Sequence, residues 1–300
     1  MVNNNTGYVH LYSRAEDGRM IFYGKRDYLV FFSILSVSLR RIEADVISLC
    51  IMPNHFHLLV RTSDLNRLLH AVAEAKRDFG RKYNARCSRA GKVFKRLTGF
   101  AWKNTGKQLR SCIAYVNNNP VVGHLCSSAE QYRWNLLYCF GRRPVRDKFH
   151  SGDDGWIPGI VNAKNIIDSY FLAGKPLSYE ALDTAFEFAG NGRSESLTDY
   201  IVLKYNFLDY DRMLRHFGGF KDAIQVFSLI RGEEYDIRED YEDYSIYGRM
   251  SDAMCQAGYD TDASSILNLD ESVKSQIIRY LHAMTGGTAR QLARYLHLPL

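Results

Sequence analysis

The sequence predicts an α+β fold for its N-terminal half, a compact antiparallel sheet with helices on one face, followed by a mainly α-helical C-terminal half. Three observations predict it. Short segments near the N-terminus carry bulky apolar residues with the two-residue period of strands. The longer segments between them repeat apolar residues every three or four positions, as amphipathic helices do. Beyond Trp134 the helical period prevails.

The strands are predicted in the order in which they occur along the chain. Four segments with strand character lie at residues 8–13, 20–23, 44–52 and 55–61. Asp17 and Gly18 form a turn between the first two, and Pro53 and Asn54 turn the last two into a hairpin. A further short strand is expected near residues 100–103. This order of strands and helices favours an antiparallel sheet.

Three amphipathic helices are predicted in the N-terminal half, at residues 27–43, 64–84 and 107–118. In the first of them, Leu29, Phe32 and Leu35 share one face. The third helix is expected to end before Asn119, because this residue precedes Pro120 and the α conformation is disfavoured there.

The composition changes after Trp134, and the segment 141–158, which contains Gly, Asp and Pro, is predicted to be a linker. Domains are therefore expected at residues 1–140 and 159–300, in keeping with about 150 residues per domain. Helical patterns in the second domain cover residues 163–173, 178–189, 197–204, 209–216, 221–230 and 271–284.

The C-terminal residues 287–296 look like the first helix of a helix-turn-helix. Thr288 and Gln291 have the spacing of a capping box at its start. A recognition helix would begin only at Leu300, so we expect a helical accessory domain rather than a separate reader of duplex DNA.

The composition excludes several classes of protein. The longest apolar stretches, such as residues 46–52, are far shorter than the roughly 20 residues that span a bilayer. The N-terminal MVNNNTG does not have the pattern of a signal peptide. The six cysteines form no C-x-x-C pair and no zinc-ribbon pattern. They predict reduced thiols in a cytoplasmic protein that has no membrane partner.

The net charge of +6 conceals two halves of opposite sign. Residues 1–150 hold 25 Lys and Arg against 10 Asp and Glu, a net of +15, whereas residues 151–300 hold 14 against 23, a net of −9. No acidic residue occurs between Asp78 and Glu130. The cations of this window predict a nucleic-acid partner, because each neutralised phosphate releases counterions. They are Arg81, Lys82, Arg86, Arg89, Lys92, Lys95, Arg96, Lys103, Lys107 and Arg110.

Two features leave alternatives open. Phe94, Phe100 and Trp102 are interleaved with the cations, and they either stack on unpaired bases or pack into the core. The segment 233–244 holds seven acidic residues among twelve. It is either a solvated segment or one that docks on the basic domain in competition with DNA.

Two histidines flank Phe56 in the predicted strand 55–61. Because alternate side chains of a strand share a face, His55 and His57 point to one side while Phe56 points to the core. Two imidazoles fixed side by side on a strand form half of a metal site. Structural histidines also produce this pattern, so both interpretations stand at this point.

Tyr115 and Asn119 supply a second element, since residues four apart lie on one helix face. A tyrosine can act as a covalent nucleophile, although its phenol is weak at neutral pH unless its target is polarised. A divalent cation such as Mg²⁺ or Mn²⁺ would polarise a phosphoryl oxygen, and an amide oxygen suits such a cation. Packing and capping are the ordinary alternatives for these two residue types.

Two motifs together carry a family resemblance, namely residues 52–60 (MPNHFHLLV) and residues 113–121 (IAYVNNNPV). Further similar segments are residues 8–10 (YVH), 91–96 (GKVFKR) and 130–135 (EQYRWN). In this order and spacing, residues 7–140 resemble the single-tyrosine transposases of the HUH nuclease superfamily. The most similar branch is the REP-associated tyrosine transposases, which are related to the small insertion-sequence transposases.

The resemblance implies a ferredoxin-like sheet with the histidine pair on a central strand and the tyrosine helix beside it. It implies that Tyr115 attacks hairpin-containing single-stranded DNA, leaving a 5′-phosphotyrosine and a free 3′-hydroxyl. It further implies a divalent metal, Mg²⁺ or Mn²⁺, held by His55, His57 and Asn119. Rejoining then needs no nucleotide cofactor, and the sequence contains no P-loop or dinucleotide-binding motif.

Some properties stay open after this resemblance. The competing interpretation is a protein that binds hairpins without cleaving them, but the presence of all four site residues favours an enzyme. Insertion-sequence relatives assemble their active sites between subunits, which implies a homodimer, whereas the larger C-terminal domain favours a monomer. The family often has Arg-Ala where this chain has Val122 and Gly123, so a phosphate contact there is not carried over.

Overall fold

The computed structural model describes residues 6–140, 158–229 and 242–299. Its N-terminal part contains four strands, β1 (Gly7–Arg14), β2 (Asp45–Met52), β3 (His55–Thr62) and β4 (Gly99–Lys103). The helices of this part are α1 (Lys25–Arg41), α2 (Leu65–Arg86) and α3 (Gly106–Val122). The order along the chain is therefore a βαββαβ unit followed by α3.

The four strands form one sheet in the order β2-β3-β1-β4, with all neighbours antiparallel. A βαββαβ unit interleaved in this way is the ferredoxin-like arrangement, and the predicted fold class is confirmed. β3 is a central strand, and His57 lies opposite Tyr12 on β1 and Cys50 on β2.

Different helices cover the two faces of the sheet. Phe56 packs against Phe31 of α1 and against Phe94, with ring centroids 5.2 and 5.7 Å apart. α3 covers the opposite face, where the buried Asn117 side chain donates to Ser48 Oγ at 2.8 Å. The predicted single helical face holds for α1 and α2 but is wrong for α3, whose buried side chains cover the face that the other two helices leave open.

Side-chain caps fix where the helices begin. The Asp64 carboxylate accepts a hydrogen bond from the Arg67 N–H at the start of α2. Thr105 and Gln108 form a capping box at the start of α3. These contacts satisfy N–H groups that have no partner inside the helix.

Two N-terminal segments differ from the prediction. Residues 20–23 are not a strand, because the N–H groups of Ile21 and Phe22 both donate to the Pro53 carbonyl, at 3.0 and 3.1 Å. The Phe22 ring is buried, so this segment packs on the turn instead of joining the sheet. Helix α3 continues through Pro120 instead of ending before it. The buried position of this turn outweighs the loss of one N–H donor.

The described residues of the C-terminal part are mainly helical, as predicted. Its helices are α4 (Pro158–Leu172), α5 (Tyr179–Ala189), α6 (Ser194–Tyr205), α7 (Tyr210–Leu214), α8 (Phe220–Ser228), α9 (Ser245–Gln256), α10 (Ala263–Leu267), α11 (Glu271–Thr285) and α12 (Ala289–Leu296). Helices α9 and α10 were not predicted. The predicted linker lies outside the described residues except for residue 158.

The two parts of the chain are in direct contact. At the start of α1, Asp27 accepts a hydrogen bond from the Tyr179 hydroxyl at 2.8 Å. In the loop before α1, the Met20 N–H donates to the Arg294 carbonyl at 3.1 Å. The Met20 carbonyl lies 2.5 Å from His297 Nε2, immediately after α12. The C-terminal helices therefore pack on the loop that leads from β1 to α1.

Among the described residues, no helix is both long and apolar enough to cross a membrane. All six cysteines are free thiols.

Candidate active site

The histidine pair lies on the central strand of the sheet. His55 and His57 are two residues apart on β3 and share a face, with their ring centroids 5.0 Å apart and the ring planes nearly perpendicular. Both are buried, with 2% and 0% of their surface exposed. The apolar neighbour Phe56 points to the opposite face, into the core between the sheet and α1. The alternation of the strand thus separates the histidines from the core.

Helix α3 brings Tyr115 and Asn119 to the same place. The Tyr115 ring lies edge-on to the His57 ring, with centroids 5.4 Å apart. The Asn119 amide lies 3.5 Å from His57 Nε2. Asn117 on the same helix is anchored to Ser48 of β2, which fixes the helix against the sheet. All four residues that the sequence singled out for chemistry are therefore adjacent.

Two further side chains contact the histidines and were not predicted as site residues. His10 on β1 is fully buried, and its Nε2 lies 3.1 Å from His57 Nδ1. Asn54, the turn residue before β3, places its Oδ1 2.8 Å from His55 Nδ1. The strand period of β1 and the turn signal were visible in the sequence, but the pairing of β1 with β3 that brings them together was not.

Tyr244 reaches the site from the C-terminal part of the chain. Its N–H donates to the Gly123 carbonyl at 3.0 Å, and its hydroxyl lies 3.4 Å from His55 Nδ1. A side chain at position 123 would collide with it, since a Cβ there would lie 2.8 Å from the Tyr244 ring and 2.9 Å from Met52 Cε. Glycine at 123 makes room for this contact. Tyr244 is the last residue of the acidic segment 233–244, for which docking on the basic domain was one of two alternatives, but its contact with His55 was not predicted.

The site is closed in this structure. The exposed fraction is 1% for Tyr115, 6% for Asn119 and 4% for Tyr244. α3 covers one side, and Tyr244 covers the end of the site near His55. The Tyr115 side chain is therefore almost inaccessible to solvent in this structure.

The donor types at the site suit a divalent cation. Two imidazoles and an amide oxygen are ligands that Mg²⁺ or Mn²⁺ accepts. Within the described residues, no three His, Cys, Asp or Glu side chains are grouped as a metal site. The Asn119 amide, 3.5 Å from His57 Nε2, is a further polar group beside the two histidines, and its oxygen would suit such an ion as a third donor.

Half of the predicted DNA-binding cations line one cavity. Its volume is about 920 Å³, and it lies between α1, α2 and the loop before β4. Its lining includes Arg81, Lys82, Lys92, Lys95 and Arg96. Because α1 and α2 cover the Phe56 face of the sheet, this basic cavity lies on the side away from Tyr115.

The basic cavity has an internal support, the partly buried Lys76 of α2. Its Nζ donates to Thr98 Oγ1 at 3.0 Å and to the carbonyls of Arg96 and Leu97 at 3.4 Å. Burial lowers the pKa of Lys76 to about 8. This side chain ties the basic loop to α2 and so helps to set the shape of the cavity.

The other predicted cations have different environments. Lys107 and Arg110 are exposed on α3, and Arg110 lies over the Phe217 ring. Lys103 is buried on β4. Arg86 forms an ion pair with Asp183 of α5, at 2.8 Å. Arg89 lies over the Tyr83 ring. The single basic surface expected from the sequence is thus divided between the basic cavity, the start of α3 and internal contacts.

The three aromatic residues that are interleaved with these cations also differ in burial. Phe94 is buried in the core against Phe31 and Phe79, so core packing and not base stacking is its role. Phe100 is 46% exposed and Trp102 is partly buried.

Of the acidic segment 233–244, residues 233–241 lie outside the described residues.

Comparisons with known proteins find similarity in the N-terminal part. Residues 4–119 match the family model described as IS200-like transposase. One solved structure, a REP-associated tyrosine transposase bound to a REP hairpin, is similar with 13% identity and a TM-score of 0.37, over 46% of this chain and 81% of that one. No curated protein matches significantly. The matched residues include His55, His57, Tyr115 and Asn119, so the candidate site lies within the segment that is similar to IS200-like transposases.

Proposed function

We propose that the protein cleaves and rejoins single-stranded DNA that contains hairpins, through a 5′-phosphotyrosine at Tyr115 and with a divalent metal. The observation that carries the proposal is the adjacency of Tyr115, His57 and Asn119 across the α3–β3 contact. A nucleophile beside a pair of metal-ligand side chains is the arrangement that phosphoryl transfer requires.

The reaction divides into two balanced steps. In the first, the phenolic oxygen of Tyr115 bonds to phosphorus and gives up its proton, while the bond from phosphorus to the 3′ oxygen breaks and that oxygen gains a proton. In the second, a 3′-hydroxyl of another DNA end gives up its proton and bonds to the same phosphorus, while the bond from phosphorus to the Tyr115 oxygen breaks and that oxygen regains a proton. A bound Mg²⁺ or Mn²⁺ supplies polarisation of the phosphoryl oxygen. The phosphotyrosine diester conserves the bond energy, so no nucleotide is consumed.

The chain's own residues hold the reacting groups in place. β3 keeps His55 and His57 on one rigid strand, and the Asn117–Ser48 hydrogen bond keeps Tyr115 at its position beside them. The low exposure of the site excludes water, which would otherwise hydrolyse the covalent intermediate. The basic cavity provides a surface for the DNA backbone, and the resemblance of residues 7–140 to REP-associated tyrosine transposases supports hairpin-containing DNA as the substrate.

A second candidate function, hairpin binding without cleavage, is favoured by one observation. Tyr115 is only 1% exposed, so the structure is closed to DNA at the nucleophile. A protein that only binds hairpins would need no opening.

One experiment separates the two functions. Labelled single-stranded hairpin DNA is incubated with the protein and Mg²⁺ or Mn²⁺, and denaturing electrophoresis detects a protein–DNA adduct. We expect an adduct with the parent protein and with Tyr12→Phe, a nearby tyrosine control, but none with Tyr115→Phe. An adduct with Tyr115→Phe would contradict the assignment of the nucleophile. Tight binding without any adduct on hairpin substrates would favour the binding protein.

A further inference from the structure

We propose that His10 and Asn54 are positioning residues that hold His57 and His55 with the hydrogen of the neutral ring on Nδ1 and its electron pair on Nε2. This inference rests on the proposed function, because a metal ligand needs that electron pair. Neither residue was predicted, and neither takes part in the steps described above. The inference follows from the donors and acceptors around the two rings.

The orientation of the Asn54 side chain determines which ring nitrogen of His55 carries the hydrogen. The Asn54 side chain is fully buried, and its Nδ2 donates to the Gly18 carbonyl at 2.9 Å. Its Oδ1 therefore faces His55 Nδ1, at 2.8 Å. An amide oxygen only accepts hydrogen bonds, so His55 Nδ1 carries the hydrogen. The neutral ring then has its electron pair on Nε2.

The backbone of Asn54 keeps this orientation in place. Its carbonyl accepts a hydrogen bond from the Ala15 N–H at 2.7 Å. The preceding residue, Pro53, accepts from the N–H groups of Ile21 and Phe22. The turn is thus tied to the segment after β1 at three points, and Asn54 has little freedom to rotate away from His55.

Different residues determine which nitrogen of His57 carries the hydrogen. The Asn119 amide nitrogen lies 3.5 Å from His57 Nε2, and an amide nitrogen only donates. His57 Nε2 is therefore the acceptor, and the hydrogen of the neutral ring is on Nδ1. His57 Nδ1 lies 3.1 Å from His10 Nε2, which accepts this hydrogen. Rotation of the Asn119 amide would present its oxygen in place of its nitrogen when an ion binds.

The position of His10 suits this role. It lies on β1, the strand paired with β3, on the same sheet face as Tyr12, and Tyr12 is the residue opposite His57. His10 is fully buried, and its ring stacks on His57 with centroids 5.2 Å apart. A hydrogen-bond acceptor on the outer nitrogen of a metal-binding histidine fixes its tautomer and orientation.

The first test measures the tautomers without metal. Long-range ¹H–¹⁵N spectra of histidine-labelled protein distinguish hydrogen on Nδ1 from hydrogen on Nε2, and His57→Asn identifies the signals of His57. We expect the Nδ1–H form for His57 in the parent and in His10→Gln, whose side-chain oxygen still accepts a hydrogen bond. The Nε2–H form in the parent would overturn the inference, whatever the activity of the protein.

The second test measures Mn²⁺ affinity by calorimetry. Loss of such an outer acceptor weakens metal binding by about 10- to 100-fold, which is the fall expected for His10→Leu. His10→Gln should remain within about threefold of the parent, and Tyr12→Phe, on the same strand and face, should not differ. Melting temperatures identify any variant that fails to fold. If His10→Leu does not fold, the Mn²⁺ affinity of His10→Gln is compared with that of Tyr12→Phe instead. Unchanged affinity in folded His10→Leu would overturn the inference.

The two tests separate this inference from the proposed function. If the parent has the Nδ1–H tautomer but does not bind Mn²⁺, the metal-dependent function fails while the assignment of His10 as the acceptor stands. If the parent binds Mn²⁺ but has the Nε2–H tautomer, the function stands and the role of His10 is wrong.

Discussion

The sheet and the C-terminal helices contribute to the candidate site in different ways. β3 and β1 position His55, His57 and His10 through a continuous antiparallel ladder, so backbone register sets their spacing. The C-terminal part contributes Tyr244 through a contact with Gly123 and through the ion pair of Glu242 with Arg294 beside it. A strand cannot leave the sheet without unfolding it, whereas a docked segment can. The sheet therefore sets the positions of the candidate site residues, and the C-terminal part covers the end of the site near His55.

The largest effect is expected where the sheet itself is altered. His57→Ala removes one of the two imidazoles that we propose as metal ligands and should lower the rate of metal-stimulated adduct formation by about three orders of magnitude, because metal polarisation contributes several kcal/mol. The rate is measured by denaturing electrophoresis over time. Arg61→Ala, on the same strand but outside the site, is the matched control and should keep the parent rate. Equal rates for His57→Ala and the parent would place the metal-binding residues elsewhere.

The second prediction concerns the basic cavity on the other face of the sheet. Replacing Lys92, Lys95 and Arg96 together with alanine should weaken binding of single-stranded DNA about 10- to 100-fold at low salt. The slope of log affinity against log salt should decrease by about 2, because each phosphate contact contributes roughly 0.7. Fluorescence anisotropy at several salt concentrations measures both quantities.

Exposed cations of the C-terminal part provide the control for this prediction. A triple alanine variant of Lys221, Arg279 and Arg290 removes the same charge from the other region. If both triple variants change the slope equally, net charge and not the cavity explains the binding.

The third prediction tests access. Tyr244→Ala removes the ring that covers His55 and should raise the rate of adduct formation about tenfold, the effect of about 1.4 kcal/mol less stabilisation of the closed form. Tyr244→Phe keeps the ring and should remain close to the parent. A lower rate for Tyr244→Ala, with Tyr244→Phe unchanged, would mean that the ring supports the site instead of blocking it.

The difference between the sheet and the C-terminal helices also explains which features could be predicted from the sequence. Local patterns predicted β3, the shared face of His55 and His57, and the helix that carries Tyr115, because these depend on strand alternation and helical period. The contacts of His10 and Tyr244 depend on strand pairing and on docking between distant segments, which local periodicity does not encode. The continuation of α3 through Pro120 was missed for a related reason, since burial on the sheet overrides the local preference of proline.

The fourth prediction concerns the attachment of the C-terminal part through His297. Burial lowers the pKa of this imidazole to about 3, and its Nε2 contacts the Met20 carbonyl. The folded state therefore favours the neutral ring, and its stability falls as the pH drops below the ordinary value of about 6.5. Between pH 7.5 and 5.5 the loss should be about 1 kcal/mol in urea unfolding, and His297→Gln should lack it. The exposed His70→Gln should behave like the parent.

The last prediction concerns Asp27, at the other contact between the two parts of the chain. Its effect on the pH dependence of stability has the opposite sign to that of His297. Burial raises the pKa of this carboxyl to about 6, although hydrogen bonds from the Gly24 and Tyr23 N–H groups and from the Tyr179 hydroxyl favour the ionised form. A raised pKa in the folded state stabilises the protein at low pH, and this contribution is lost as the pH rises through about 6.

The test is a comparison of parent and Asp27→Asn by urea unfolding at pH 7.5 and 5.5. The asparagine oxygen still accepts from the backbone, and its nitrogen can donate to the Tyr179 hydroxyl, so the fold should survive. The parent should gain about 0.8 kcal/mol relative to the variant on going to pH 5.5. Asp17→Asn, whose side chain is 53% exposed, should show no such gain. A constant difference between parent and Asp27→Asn across this range would show that Asp27 does not titrate there, and the loss at His297 would then be the only pH-dependent term at these contacts.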